Sequence, residues 1–164
     1  MSSGVASYGV SATAYGRDPA NAYYSLSGAV VPPTPGGTTN FGGVNGTAGG
    51  NIPANTSTTP ILSYTITTTN DTININASAQ VVLTNAQPTN QDYTIYLYEG
   101  VTPGTAWGTT VVPAGHSLVV SPVRYFEGVT GGAITINLLV RNDGAADPAE
   151  TYANASINAV WGAA

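Results

Sequence analysis

The residue types that could do chemistry are few in this chain of 164 residues. It has no Cys and no Lys, which excludes thiolate zinc sites, Cys nucleophiles, Schiff bases and the P-loop lysine. His116 is the one histidine, and Ser117 follows it directly. Adjacent strand residues point to opposite faces, and no GxSxG elbow is present. We therefore predict no catalytic residue and interpret His116 as a turn histidine.

Three acidic residues, Asp143, Asp147 and Glu150, lie close together in one segment. Oxygen-rich loops bind Ca²⁺ when several ligands converge, but this spacing does not match an EF-hand, and a single His cannot build a typical zinc site. A solvated acidic loop is the favoured interpretation. Among eight acids, no two are singled out as a glycosidase pair. We predict no metal and no cofactor.

Aromatic side chains are the remaining candidates for binding. Tyr96 and Tyr98 alternate with Ile95 and Leu97, so we expect both tyrosines on the outward face of a strand, and Trp107 lies in a following loop. These three aromatic residues are candidates for a ligand site or an interface. They could stack on sugars, or they could pack on a second sheet or a sister subunit, which is the commoner fate of strand aromatics.

The charge pattern excludes some partners. Three Arg and eight acids give a net charge of -5, and only 7% of the residues are charged. Such a chain lacks the cationic surface that phosphate backbones require, so we expect no nucleic-acid partner. No apolar run approaches the length of a membrane span, and the first residues lack the features of a signal peptide. We expect synthesis in a host cytoplasm and no membrane partner.

Alternation with period two begins at Ile61 and predicts β-strands. In residues 72–83 the apolar side chains Ile73, Ile75, Ala77, Ala79, Val81 and Leu83 share one face, and polar side chains share the other. Residues 62–66 alternate in the same way. Because Asn70 and Asp71 tolerate a tight turn, we expect these two strands to pair as a hairpin.

Further strands are predicted from the same alternation, separated by turns rich in Gly, Pro and Asn. They cover residues 93–99, 109–112, 117–123, 133–141 and 151–161, with Gly131 and Gly132 predicted as a turn before the fourth. No window has the periodicity of an amphipathic helix. Six to eight such strands predict an all-β fold, an antiparallel, jelly-roll-like β-sandwich.

The first third of the chain differs from this domain. No residue between Pro19 and Asn70 is charged, and residues 28–60 include 13 Gly or Pro. Such a segment buries too little apolar surface to offset the entropy of ordering it, so we expect a long extended arm over residues 1–58 and a sandwich over 59–164. We expect neighbouring subunits to hold the arm through spaced anchors. The predicted anchors are Tyr8, Tyr15, Tyr23, Tyr24, Leu26, Val31 and Phe41.

The strands and turns resemble the compact β-sandwiches of bacteriophage virion proteins, both head-decoration (cement) and tail-fibre proteins. The resemblance covers residues 58–164 and is carried by the succession ILSYTITTTNDTININASAQVVLTN, DYTIYLYEG, VVPAGHSLVV, AITINLLVR and ASINAVW. It implies a jelly-roll or tumour-necrosis-factor-like domain, a homotrimer, and termini that dock on a capsid or fibre. The arm lacks the repeats of a fibre shaft, which favours cement over fibre.

The resulting hypothesis is a non-enzymatic virion protein, a capsid decoration (cement) protein. Its partners would be the major capsid protein or other virion subunits and copies of itself. Two alternatives stay open. One is a carbohydrate-binding fibre tip or adhesin, and the other is a filament or surface-layer subunit that exchanges strands.

Overall fold

The alternating segment at residues 72–83 forms the second half of the longest strand in the molecule. The computed structural model describes residues 39–46 and 49–164, and every regular element in these residues is a β-strand. All pairings between these strands are antiparallel, so the all-β antiparallel prediction is confirmed. None of the described residues forms a helix long and apolar enough to cross a membrane.

Eight strands form one sheet in the compact unit Thr38–Ala164. They are β1 (Asn40–Asn45), β2 (Gly50–Asn51), β3 (Leu62–Asn85), β4 (Gln91–Glu99), β5 (Gly108–Val112), β6 (His116–Val120), β7 (Val123–Asn142) and β8 (Glu150–Ala163). Their order is β1-β8-β3-β7-β4-β5, with β2 paired to β8 and β6 paired to β3. The strands predicted at 93–99, 109–112 and 151–161 lie within β4, β5 and β8, which confirms them.

The two long strands, β3 and β7, each pair with different neighbours along their length, so that the sheet has one half around β8 and the other around β4. The first half of β3 pairs with the second half of β7, and the second half of β3 pairs with β8. The halves therefore bury one shared core of aliphatic side chains, as in a sandwich. Fully buried members from different strands include Ile75, Ile95, Ile136 and Ile157.

The predicted hairpin at Asn70 and Asp71 is wrong, because residues 62–85 run on as the single strand β3. Thr68 pairs with Gly132 and Thr72 with Thr130, so β3 holds two more residues than β7 in this interval. The inward positions change there from even numbers, such as Ile66, to odd numbers, such as Ile73. A change of side-chain parity can mark an irregularity within one strand as well as a turn between two strands.

The predicted turn at Gly131 and Gly132 is also wrong, since both glycines lie inside β7. Gly132 has φ of +110° and Gly128 has φ of +62°, which L side chains rarely adopt. A Cβ on Gly131 would collide with the Asn70 carbonyl oxygen of β3. The glycines therefore let β7 follow the irregularity of β3 without reversing direction.

Pro122 interrupts the strand predicted at residues 117–123. β6 ends at Val120 and β7 starts at Val123, yet both pair with β3 in one continuous register. The Pro122 carbonyl accepts a hydrogen bond from the Ala79 N–H at 2.9 Å, which keeps the interrupted edge against β3. Ala79 and Pro122 oppose each other directly, so a residue with an N–H at position 122 would return a hydrogen bond to the Ala79 carbonyl. Proline has no N–H, and this one bond of the ladder is absent where the strand is interrupted.

The described part of the predicted arm lies against the sandwich. β1 and β2 both pair with β8, and the Ile52 N–H donates to the Glu150 carbonyl at 2.8 Å. Ile52 is fully buried in the core. Residues 39–46 and 49–52 therefore belong to the sheet through β1, β2 and the bond at Ile52, although their composition predicts that they belong to the arm.

Candidate assembly surface

A row of exposed side chains crosses the outside of the sheet over four strands. Phe41 of β1 pairs with Val160 of β8, Val160 with Asn76 of β3, and Asn76 with Tyr125 of β7. Directly paired residues in a sheet project from the same face, so these four side chains are neighbours. The exposed fraction is 84% for Phe41, 46% for Val160 and 57% for Tyr125. Three of the four side chains are thus large, apolar and open to solvent.

The rows beside it extend this surface, which we call the uncharged face. Gly43, Asn158, Ser78 and Val123 form the next row, and Val82 pairs with Val119 further along β3. The uncharged face comprises Phe41, Gly43, Asn45, Asn76, Ser78, Gln80, Val82, Val119, Val123, Tyr125, Ser156, Asn158 and Val160. No side chain among these carries a charge, although the chain as a whole has a net charge of -5.

Glycines let β1 approach β8 closely at the edge of the uncharged face. A Cβ on Gly43 would collide with the Ile157 carbonyl oxygen and would lie 2.8 Å from Asn158 Oδ1. A Cβ on Gly42 would collide with the Tyr64 hydroxyl and would lie 3.3 Å from the Trp161 ring. The pair of glycines that suggests a linker by composition is therefore required for strand packing.

Phe41 is the one predicted anchor that lies within the described residues. It stands on the uncharged face, where it is almost fully exposed. The other predicted anchors, Tyr8, Tyr15, Tyr23, Tyr24, Leu26 and Val31, lie outside the described residues.

Sequence reasoning missed the other apolar members of the uncharged face. Val160, Val123, Val119 and Tyr125 occupy positions that alternation assigns to solvent. A large apolar side chain on the polar side of an alternating strand is the signal that could have identified them.

The three aromatic candidates for ligand binding have separate environments. Tyr98 is only 4% exposed, and its hydroxyl donates to the Thr58 carbonyl at 3.5 Å, so the expectation that it is exposed is wrong. Burial raises the pKa of Tyr98, although the Arg141 charge acts in the opposite direction. The Arg141 guanidinium lies 4.7 Å from the centre of the Tyr96 ring and donates to its hydroxyl at 3.3 Å. Trp107 alone is substantially exposed, at 43%.

A cavity of about 680 Å³ opens where β7 bends, and its lining includes Glu99 and Glu127. Asn137 also lines it, but the Asn137 amide is already occupied. Its Nδ2 donates to the Gly100 carbonyl at 2.7 Å, and its Oδ1 accepts from Ser63 Oγ at 2.5 Å. The other polar side chains of the lining include the Glu99 and Glu127 carboxylates and the Thr130 and Thr135 hydroxyls, and the two carboxylates are too few to form a group of three metal ligands.

His116 and Ser117 do not form a catalytic pair. The His116 N–H donates to the Pro113 carbonyl at 3.1 Å, and its Nδ1 lies 2.7 Å from the Ala114 carbonyl oxygen. The Ser117 hydroxyl lies 2.8 Å from Thr84 Oγ1 on the neighbouring strand. His116 is thus a turn histidine, as predicted.

The acidic segment does not converge on a metal. Glu150 is buried and accepts a hydrogen bond from Asn142 Nδ2 at 2.8 Å, whereas Asp147 accepts from the Ala149 N–H of its own turn. Among the described residues, no group of three His, Asp or Glu side chains could hold a metal ion.

Tyr93 lies close enough to Glu150 and Asp147 for their charges to act on it. It is fully buried, and its hydroxyl has no hydrogen-bond partner among the described residues.

No protein-family model matches the sequence, and no curated protein matches it. Among solved structures, the chain is similar to a chain in the structure of the infectious bursal disease virus Gx strain, with 17% identity and a TM-score of 0.46 over 75% of this chain. The alignment spans about a third, 33%, of that viral chain. At this TM-score the similarity supports no conclusion about function.

Two smaller proteins are also similar. One is a subunit of Bacillus endospore appendages, described as disulfide-linked pili, with 18% identity and a TM-score of 0.34 over 84% of this chain and 98% of that one. The other is the carbohydrate-binding module CBM36, solved with calcium and xylotriose, with 19% identity and a TM-score of 0.32 over 71% of this chain and 97% of that one. The function proposed below rests on this chain's own surface.

Proposed function

We propose that this chain is a non-enzymatic structural protein of a virion, a capsid decoration (cement) protein of bacteriophage type. It would act as a homo-oligomer on the major capsid protein or on other virion subunits. The observation that carries the proposal is the uncharged face, on which Phe41, Val160 and Tyr125 are exposed side by side. Apolar surface gathered in one place marks a contact surface more often than scattered apolar residues do.

The energetics favour burial of this surface in an assembly. Burying one large apolar side chain contributes about 1.5 to 3 kcal/mol before the costs of association. Burial of the five exposed apolar side chains of the uncharged face, Phe41, Val119, Val123, Tyr125 and Val160, is therefore the main favourable contribution that this face offers to an assembly. No charge on this face has to be desolvated, which removes the largest penalty of forming an interface.

We propose the predicted arm as a second point of attachment. Residues 1–38 precede β1, and residues 19–38 include no charged side chain but several of the predicted anchors. β1, the first described strand, is an outermost strand of the sheet and carries Phe41. Attachment through an arm as well as the uncharged face would suit a protein that reinforces contacts between other subunits.

The two alternatives receive unequal support. Sugar binding through the aromatic residues loses two of its three side chains, because Tyr98 is buried and Tyr96 is covered by Arg141. This chain has no Cys, so a filament of its copies would be held by contacts other than disulfides. One feature favours a filament held by strand pairing, which is the outer edge of β1.

Particles assembled with and without the full chain test the proposal. We expect particles with the chain to release their genome at a higher temperature, measured with a fluorescent dye for nucleic acid during a temperature ramp. The variant Val160→Glu should abolish this gain, whereas the matched variant Val111→Glu, at an equally exposed valine on the distant strand β5, should retain it. Equal release temperatures with and without the chain would contradict the proposal.

A further inference from the structure

We propose that the outer edge of β1 pairs with β1 of a second copy of this chain, antiparallel and centred on Gly42, in a two-fold contact. The inference rests on the proposed function, since it names one contact by which such a subunit joins its own copies. It starts from the position of β1, which pairs with β8 on one side and with no strand of the described residues on the other.

The hydrogen-bond pattern decides which groups of β1 are available. The Gly46 N–H donates to the Ala155 carbonyl at 2.6 Å, so the even-numbered residues of β1 direct their backbone groups toward β8. The odd-numbered residues, Phe41, Gly43 and Asn45, consequently direct their N–H and C=O groups outward. An unpaired row of such groups is a template for another strand.

This edge lacks the devices that usually prevent strand pairing. Its sequence, NFGGVN, has no charged residue and no proline, and β1 pairs with β8 without a register shift. The opposite edge of the same half-sheet differs. Pro122 interrupts it between β6 and β7, and an extra residue near Gly128 bends β7. The contrast makes β1 the edge that is open to a partner.

Two requirements restrict the register of the contact. Residues whose backbone groups point outward must oppose each other to form hydrogen bonds, and the uncharged faces of both copies must lie on the same side of the joined sheet. Pairings centred on Phe41, Gly42 or Gly43 meet both requirements, and we choose the one centred on Gly42 because it sets Phe41 of each copy against Gly43 of the other. Each exposed phenyl ring would lie over a glycine, where no side chain competes for the space.

Charge does not oppose contact between two copies through β1. Each copy carries a net charge of -5, so two copies repel unless they meet through a neutral surface. β1 and the uncharged face beside it provide that surface. The pairing would also join two uncharged faces into one surface of twice the width.

The size of the contact predicts a weak dimer. Each Phe41 could bury about 150 Å², and the backbone edge adds only a few residues per copy. The total falls short of the roughly 800 Å² per partner of a standard stable interface. We therefore expect a monomer–dimer equilibrium with a dissociation constant of some tens of micromolar, so that the monomer predominates at about 1 µM and the dimer at about 200 µM.

Amide hydrogen exchange of the full chain at about 1 µM and about 200 µM tests the contact, alongside sedimentation velocity. The N–H groups of Phe41 and Gly43 should gain protection at the higher concentration, as a dimer appears. The N–H groups of Gly42 and Val44 serve as an internal control, because they face β8 in both states. Sedimentation as a trimer, or as a monomer at both concentrations, would overturn the proposal.

A variant pair separates this contact from others. Phe41→Lys should weaken dimerisation at least about tenfold and remove the added protection at Gly43, because it removes the phenyl ring that lies over Gly43 of the other copy and places a charged side chain on each edge strand. Val111→Lys, on the edge strand β5, should dimerise like the wild type. Unchanged dimerisation of Phe41→Lys, with an unchanged thermal midpoint showing that it folds, would overturn the proposal.

The proposal and the proposed function can fail separately. A chain that stays monomeric but stabilises particles would overturn the β1 contact alone. A chain that dimerises through β1 but leaves particles unchanged would overturn the proposed function alone. Protection of Phe41 and Gly43 that depends on neither concentration nor Phe41→Lys would mean that the chain's own residues 1–38 cover this edge, which also overturns the proposal.

Discussion

Replacing Tyr93 by Phe should test two consequences of its buried hydroxyl, the cost of leaving it unpaired at pH 7 and the loss of stability at high pH. Tyr93 is fully buried, and its hydroxyl has no hydrogen-bond partner among the described residues. An unpaired buried polar group costs about 1 to 3 kcal/mol, so removing it without changing the ring should leave stability at pH 7 unchanged or raise it. A hydroxyl with a good partner would give the opposite result, a loss of about 1 kcal/mol.

The pH dependence provides the second readout. Burial, and then the charges of Glu150 and Asp147, raise the pKa of Tyr93 from 10.0 to about 12. The unfolded chain therefore releases this proton near pH 10, while the folded chain keeps it until about pH 12. Stability is fully present below pH 10 and falls as the pH rises from 10 to 12, by about 1.4 kcal/mol at pH 11 and about 2.7 kcal/mol in all.

Urea unfolding at pH 7 and pH 11 measures both effects. The wild type should lose about 1.4 kcal/mol more than Tyr93→Phe between the two pH values. Tyr125→Phe, which removes a hydroxyl from an exposed ring, is the matched control and should behave like the wild type at pH 7. The reasoning would be refuted if Tyr93→Phe were destabilised at pH 7, or if it lost as much stability as the wild type at pH 11.

Three further predictions concern the fold and can be checked by urea unfolding. Gly43→Ala should lower the unfolding free energy by about 1 to 3 kcal/mol, because the added Cβ meets the β8 backbone. Gly104→Ala, with open space around it, should lower it little. Equal losses for the two variants would contradict the packing of β1. Removing residues 1–58 should lower the unfolding free energy by at least about 3 kcal/mol more than removing residues 1–38, because Ile52 leaves the core. Equal stabilities of the two truncated chains would show that Ile52 is dispensable. Asn142→Ala should cost about 1 to 3 kcal/mol, since Asn142 Nδ2 bonds both Glu150 and the Ala145 carbonyl; a smaller loss would mean that these groups find other partners.

Local alternation was sufficient to predict most strands and the core face of residues 72–83, because solvent and core impose a period of two on a half-buried strand. Alternation gave the wrong prediction near Asn70, where the buried positions change from even to odd numbers. Such a change fits either a turn or an irregularity within one strand, and only the pairing with β7, far along the chain, decides between them. The strand β1 could not be predicted from its sequence, because glycine ordinarily indicates a loop. In β1 the glycines are needed instead for close packing against the β8 backbone.

The candidate site was predicted only in part for a related reason. Phe41 stood out as an apolar residue in an uncharged segment, but its neighbours Val160 and Tyr125 are distant in sequence and meet it only through the strand register. Tyr98 occupies an outward position by alternation, yet the segment that contains Thr58 covers it. Contacts of this kind connect residues that no local pattern relates.

Sedimentation of the full chain with purified particles tests the central claim most directly, that the uncharged face is an assembly contact. The wild type should remain with the particles through a density gradient in a fixed ratio to the capsid protein. The variant with both Val160→Glu and Tyr125→Glu should fold and stay at the top of the gradient, while Val111→Glu should sediment like the wild type. A chain that never accompanies the particles, or a double variant that binds as well as the wild type, would contradict the account.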